Sequence, residues 1–144
     1  MLDCLILGDS IAVGTHQFYQ ECKLVGKGGI NTWQWNQMYS GVDLSAGVVI
    51  ISLATNDHKY IRTRSELVKV RERVRSGKVY WILPAGNLIG SQVPIEVIQG
   101  HVRSVASEYG DIVLPIRSLQ RDGIHPSWSG YKQIVSEVKK DQVD

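Results

Sequence analysis

The run Val48–Leu53 (VVIISL), β-branched and apolar at nearly every position, restricts the fold more than any other feature of the chain. A strand with one wetted face alternates apolar and polar residues. A run that is apolar on both faces belongs at the centre of a parallel sheet covered by helices on both sides. Shorter runs of the same kind recur. Leu2–Leu7 is stopped by Gly8, Lys23–Val25 precedes Gly26, Gly28 and Gly29, Val79–Leu83 is ended by Pro84, and Asp111–Leu114 follows Gly110.

Helix-periodic stretches lie between these runs. Ile11–Glu21 reads as a helix, and Thr32–Tyr39 as a helix or an ordered loop. Ser65–Arg75 is amphipathic, with Leu67, Val70 and Val74 on one stripe and Ser65 as its N-cap. Pro94–Tyr109 carries Ile98, Val102, Val105, Ala106 and Tyr109 on one face and stops at Gly110. Ser129–Lys139 turns Tyr131, Ile134, Val135 and Val138 inward. Five strands alternating with helices predict a doubly wound, mostly parallel α/β sheet. With 144 residues and no repeat, linker or composition break, one domain over residues 1–144 is expected.

Composition narrows the function. Sixteen basic against fourteen acidic residues leave a net charge of +2, too balanced to argue for a nucleic-acid partner. Residues 62–78 hold Arg62, Arg64, Lys69, Arg71, Arg73, Arg75 and Lys78 against Glu66 and Glu72, and read as a solvated helix face, with attraction for an anionic polymer or membrane surface as the alternative; no aromatic interleaves the stretch, which weakens the case for single-stranded nucleic acid. No apolar run approaches the roughly 18 residues of a membrane span. The start, MLDCLILGDS, has neither a basic region nor a long apolar stretch, so no secretion signal is expected and a cytoplasmic or virion-associated protein fits. Cys4 and Cys22 read as small core residues rather than a redox pair, which favours a reducing compartment. No HExxH or paired CxxC is present, and neither metal nor cofactor is expected.

In open α/β sheets, functional groups gather beyond the carboxyl ends of the strands. Four polar segments fall there: Gly8-Asp9-Ser10, the Gly28-Gly29 loop, Ala54-Thr55-Asn56-Asp57, and Asp122-Gly123-Ile124-His125-Pro126. Each alone is an ordinary turn. The residue types nevertheless suit acyl transfer: a serine hydroxyl needs a base, histidine is poised near neutral pH, and an aspartate three residues earlier can orient it. The sequence leaves open whether a backbone carbonyl shares that orienting role.

In this order the four segments resemble the blocks of the SGNH/GDSL hydrolases, a superfamily of serine esterases, lipases, thioesterases and carbohydrate deacetylases. The resemblance runs from residue 8 to residue 126. It implies a three-layer α/β/α, flavodoxin-like fold with a five-stranded, mostly parallel sheet. It also implies Ser10 as nucleophile, His125 as general base and Asp122 as its orienting acid. The implied oxyanion hole comprises the Ser10 and Gly29 amides and the Asn56 side chain, with Gly28 competing for the Gly29 position. Ala54 departs from the family, whose third block usually begins with Gly, and this matters if the backbone there needs a positive φ.

The chain is shorter than typical members, leaving little room for a lid. Expected, therefore, is a short-chain carboxylic ester, an acetyl ester on a larger alcohol or a carbohydrate, cleaved through an acyl-enzyme. Asp9, Asp57, His58, Trp33 and Trp128 are candidate substrate contacts, within a set of site-proximal aromatics that also includes Trp35, Tyr39 and Tyr60. The Gly-rich segment Ala85–Val93 is expected to border the cleft opposite the oxyanion hole. The alternative is a catalytically weak carbohydrate-binding or virion structural module on the same fold. A nucleotide binder leaves Asp122 and His125 unexplained. The oligomeric state is left open.

Overall fold

The computed structural model describes residues 2–143. Strands β1 (Leu2–Gly8), β2 (Lys23–Gly26), β3 (Ala46–Ser52), β4 (Lys78–Ile82) and β5 (Ile112–Leu114) alternate with helices α1 (Ser10–Gln17), α2 (Thr32–Met38), α3 (Thr63–Arg73), α4 (Ile95–Tyr109) and α5 (Trp128–Val143). All described strand pairs are parallel, in the order β2-β1-β3-β4-β5. The expected sheet is thus present and wholly parallel among the described residues. Its order reverses between β1 and β3, and at their carboxyl ends a crevice opens where ligands bind in folds of this topology.

Strand periodicity sorts the core into two layers. Leu5, Leu7, Val49, Ile51, Val79 and Trp81 face α2, α3 and α4, packing on Trp35, Leu67, Val70, Ile98, Val102 and Val105. Cys4, Ile6, Val48, Ile50, Tyr80 and Ile82 face α1 and α5, against Ile11, Ala12, Tyr131, Ile134, Val135 and Val138. Central strand β3 is buried along nearly its whole length, as its β-branched run requires. The helical stripes fall where periodicity put them, apart from Tyr109, which is exposed with the Arg71 guanidinium over its ring.

Two local expectations need correction. Helix α3 starts at Thr63, with Arg62 rather than Ser65 at the N-cap and no side-chain cap, since an arginine side chain has no acceptor to offer; the Thr63 hydroxyl donates to Asp57. Cys4 and Cys22 are buried as expected but bonded to each other. The parallel register that pairs Leu5 with Lys23 sets the preceding residues side by side, with Cα atoms 4.5 Å apart, inside the range a disulfide spans. Disulfides persist in oxidising surroundings, so the cysteines no longer argue for a reducing compartment. No helix among the described residues is long and apolar enough to cross a membrane.

Candidate active site

The first site residue is set by how closely β1 approaches β3. Gly8 has a φ of +142°, and a Cβ there would meet the Ser52 carbonyl oxygen at 1.8 Å, so only glycine allows the crossing. The Asp9 amide then donates to Ser52 O at 3.0 Å. Asp9 is the N-cap of α1. Its Oδ1 accepts from the Ile11 amide and the Ser52 hydroxyl, each at 3.0 Å. The side chain has no exposed surface, Oδ2 has no protein partner, and burial pushes the carboxyl up to about 7. The expectation that Asp9 touches substrate is therefore wrong: it fixes the angle at which Ser10, the first residue of α1, leaves the sheet.

Ser10 is partly exposed, and its Oγ lies 2.9 Å from His125 Nε2 across 115 residues of sequence. His125 Nδ1 lies 2.6 Å from Asp122 Oδ2. The other oxygen of Asp122 accepts the Ile124 and His125 amides at 2.8 and 3.0 Å. Those amide bonds and the ring contact hold the carboxyl down at about 2, so it is ionised at any working pH. An ionised acceptor at Nδ1 puts the ring proton there, leaving Nε2 to accept from the serine hydroxyl. No backbone carbonyl joins Asp122 at Nδ1 among the described hydrogen bonds.

The remaining two segments are tied to each other. The Asn56 side-chain amide donates to Ile30 O at 2.9 Å. Asp57 Oδ1 accepts the Thr32 amide at 2.8 Å and the Thr32 hydroxyl at 3.0 Å, and Oδ2 accepts the Thr63 hydroxyl at 2.8 Å. Asp57 has no exposed surface, and burial raises its pKa. It too is corrected from substrate contact to a clamp, joining the loop after β3 to the starts of α2 and α3. Gly28 lies against Ser10, where a Cβ would sit 3.7 Å from that of the serine. Gly29 makes the turn at φ +80°. Asn31 and Gln34 then start α2 with a reciprocal capping box, resolving the helix-or-loop ambiguity at Thr32–Tyr39 as a helix.

Solved structures resemble this chain closely in backbone and distantly in sequence. A protein from Bacteroides fragilis assigned as an acylhydrolase superposes with a TM-score of 0.73 at 20% identity, over 97% of this chain and 86% of that one. A protein from Parabacteroides merdae assigned as a GDSL-like lipase gives 0.65 at 16%, over 90% and 89%. A member of the lipolytic G-D-S-L family from Veillonella parvula gives 0.63 at 14%, over 97% of each. The fold is that of the SGNH/GDSL hydrolases. No family model and no curated protein matches the sequence.

All four block-like segments of this SGNH/GDSL fold lie at one end of the sheet, after β1, β2, β3 and β5. The departure at Ala54 falls where it was expected to matter. Ala54 is fully buried with a φ of +87°, and its carbonyl accepts the Asp57 amide at 3.0 Å. A left-handed backbone costs a non-glycine residue about 1–2 kcal/mol, which the surrounding turn must sustain.

The aromatics divide. Trp35 is fully buried with its indole N–H on Val25 O, and Tyr39 packs against the core. Trp33, Tyr60 and Trp128 are exposed. His58 is half-buried, its Nδ1 accepting the Tyr60 amide at 3.2 Å and its ring edge-on to Tyr60. Within residues 85–93, Gly86 packs against Gly123 and Ile124 of the histidine loop. Ser52, Thr32 and Thr63, which seat the two buried aspartates, escaped the sequence reading because a lone hydroxyl carries no signal until its partner is placed beside it.

Proposed function

We propose that this chain is a serine hydrolase of short-chain carboxylic esters, acting through an acyl-enzyme, with an acetyl group on a larger alcohol or sugar as the favoured substrate. The relay Asp122–His125–Ser10, at 2.6 and 2.9 Å, carries the reading. In this mechanism Ser10 Oγ attacks the ester carbonyl as its proton passes to His125 Nε2. Charge developing on the carbonyl oxygen meets the Ser10 amide, the Gly29 amide and the second proton of the Asn56 side-chain amide. The Ser10 and Gly29 amides donate in none of the described hydrogen bonds, so both are free for this role. The dipole of α1 adds to the effect at Ser10.

The imidazolium next gives its proton to the departing alcohol. Water enters, loses a proton to His125 and attacks the acyl-serine, and Ser10 recovers its proton as the acid leaves. The names of the structural neighbours, an acylhydrolase and a GDSL-like lipase, support an ester substrate in general. The short-acyl preference rests on the chain's small size.

Hydrolysis of p-nitrophenyl acetate by the wild type beside Ser10→Ala tests the reading. Activity is expected to vanish in the variant, and a fluorophosphonate probe is expected to label Ser10. Equal rates in the two proteins would remove Ser10 as nucleophile. A chain-length series peaking at octanoate or beyond would overturn the short-acyl preference.

A further inference from the structure

One face of α1 carries Ser10 and Gly14, four residues apart, and continues onto Phe18, the helix's C-cap. Ser10 meets His125. The other two meet a single side chain of α5. Tyr131 is buried, and its ring stacks on Phe18 with centroids 5.9 Å apart and planes 16° from parallel. The far end of the same ring fills a notch at Gly14, where a Cβ would stand 2.3 Å from Tyr131 Cζ and 2.4 Å from its hydroxyl oxygen. Glycine weakens a helix interior, yet Gly14 is buried in the middle of α1 with no positive φ to require it. The room it leaves for the ring is what it contributes.

Tyr131 also belongs to the segment that delivers the histidine. Only Pro126 and Ser127 separate His125 from α5, and the Tyr131 amide donates to Ser127 O at 2.9 Å. The start of α1 is held from the other side, where Asp9 bonds Ser52 through both its amide and its carboxyl. With α1 fastened to the sheet, the separation of α5 from it depends on what fits between the two helices.

We infer that Tyr131 is a positioning residue for the Ser10–His125 pair: its ring, seated in the Gly14 notch, sets the spacing of α5 on α1 that leaves Ser10 Oγ 2.9 Å from His125 Nε2. The ring acts by shape. Burial, with the Asp9 and Asp122 carboxylates adding to it, pushes the phenol up to about 12, so the group stays neutral. A methyl at position 14 needs about 1 Å more room to reach ordinary van der Waals contact with the ring. Tyr131 is buried and stacked, so that room comes from moving α5. Such a shift takes the serine–histidine contact out of hydrogen-bond range, and a misplacement of about 1 Å costs on the order of 100-fold in rate. The spacing stands on the geometry alone; its effect on turnover rests on the hydrolase reading above.

The test is Gly14→Ala, with Gly100→Ala as control, because a Cβ at Gly100 of α4 meets nothing within 4 Å. In a crystal structure of Gly14→Ala, the Ser10 Oγ–His125 Nε2 separation is expected to open beyond about 3.5 Å. On p-nitrophenyl acetate, kcat is expected to fall about 100-fold while KM stays within about twofold. Tyr131→Leu, which keeps an apolar core side chain but frees the spacing, is expected to lower kcat about tenfold. Adding Gly14→Ala to Tyr131→Leu is expected to cost less than about a further threefold, since the shorter side chain vacates the notch. Tyr131→Phe, which keeps the ring, is expected to hold the separation and most of the rate. If Gly14→Ala fails to fold, the contrast between Tyr131→Leu and Tyr131→Phe decides alone. An unchanged separation in Gly14→Ala, an equal loss in Gly100→Ala, a full loss persisting in the Tyr131→Leu background, or equal rates in Tyr131→Leu and Tyr131→Phe would each overturn the inference. A wild type that hydrolyses no ester, with the separation still opening in Gly14→Ala, keeps the positioning role and sinks the hydrolase reading. An active wild type whose separation and kcat both survive Gly14→Ala does the reverse.

Discussion

Replacing Asp122 with Asn preserves the side chain's shape and alters only which of its atoms can accept. The carboxylate now accepts two backbone amides at Oδ1 and the ring Nδ1–H at Oδ2. An amide offers one oxygen and one NH2. With the oxygen kept on the Ile124 and His125 amides, the NH2 faces Nδ1, which must give up its proton and accept. The proton moves to Nε2, and Nε2–H then points at Ser10 Oγ and can no longer take its proton. Turning the amide over would set NH2 against two backbone donors, forfeiting two hydrogen bonds at about 1 kcal/mol each and leaving their donors unpaired. The wrong tautomer therefore wins.

A triad aspartate replaced this way in a serine protease costs about 10,000-fold in turnover, or about 5 kcal/mol of barrier, and the same is expected here. Stability is expected to move by less than about 1 kcal/mol, because Asp122 and His125 are both partly exposed and water screens their pairing. Turnover of p-nitrophenyl acetate, the rate of fluorophosphonate labelling and a urea melt together check this. If Asp122→Asn stays within tenfold of wild type while His125→Ala is inactive, some other acceptor orients the ring and the tautomer reasoning fails.

Two further outcomes concern the scaffold. Changing Cys4 and Cys22 together to Ala removes a cross-link closing a separation of 18 residues, and is expected to lower the unfolding free energy by about 3 kcal/mol; a urea midpoint unmoved in the variant, or two free thiols titrated in the denatured, unreduced protein, would contradict it. For Asp9, the folded pKa of about 7 exceeds the ordinary 3.8, so between these values the folded chain binds more protons than the unfolded chain. Its contribution to stability is then expected to fall as pH rises from about 4 to 7, by at most about 1.4 kcal/mol per unit, and Asp9→Asn to remove that slope; the same slope in both proteins, measured by urea unfolding across this range, would refute the assignment.

The sequence by itself determined what depends on near neighbours. VVIISL could be satisfied only at the centre of a parallel sheet, and Gly110 closes α4 in the left-handed conformation that its position after Tyr109 suggested. Asp122 and His125 are three residues apart, so a single turn brings them together. What depends on register and packing was hidden. Trp33 and Trp35 look alike in sequence, yet two residues along a helix is half a circle, and one faces solvent while the other is fully buried. Asp9 and Asp57 look like site residues, but the close approach of β1 to β3 and the joining of three loop ends turned both inward. The cysteine pairing follows from which residue of β1 lies beside which residue of β2. Ser10 and His125, 115 residues apart, meet only because a parallel sheet delivers the ends of β1 and β5 to the same edge. Local chemistry is written along the chain, whereas burial and long-range contact are decided by the competition of all its segments for one interior.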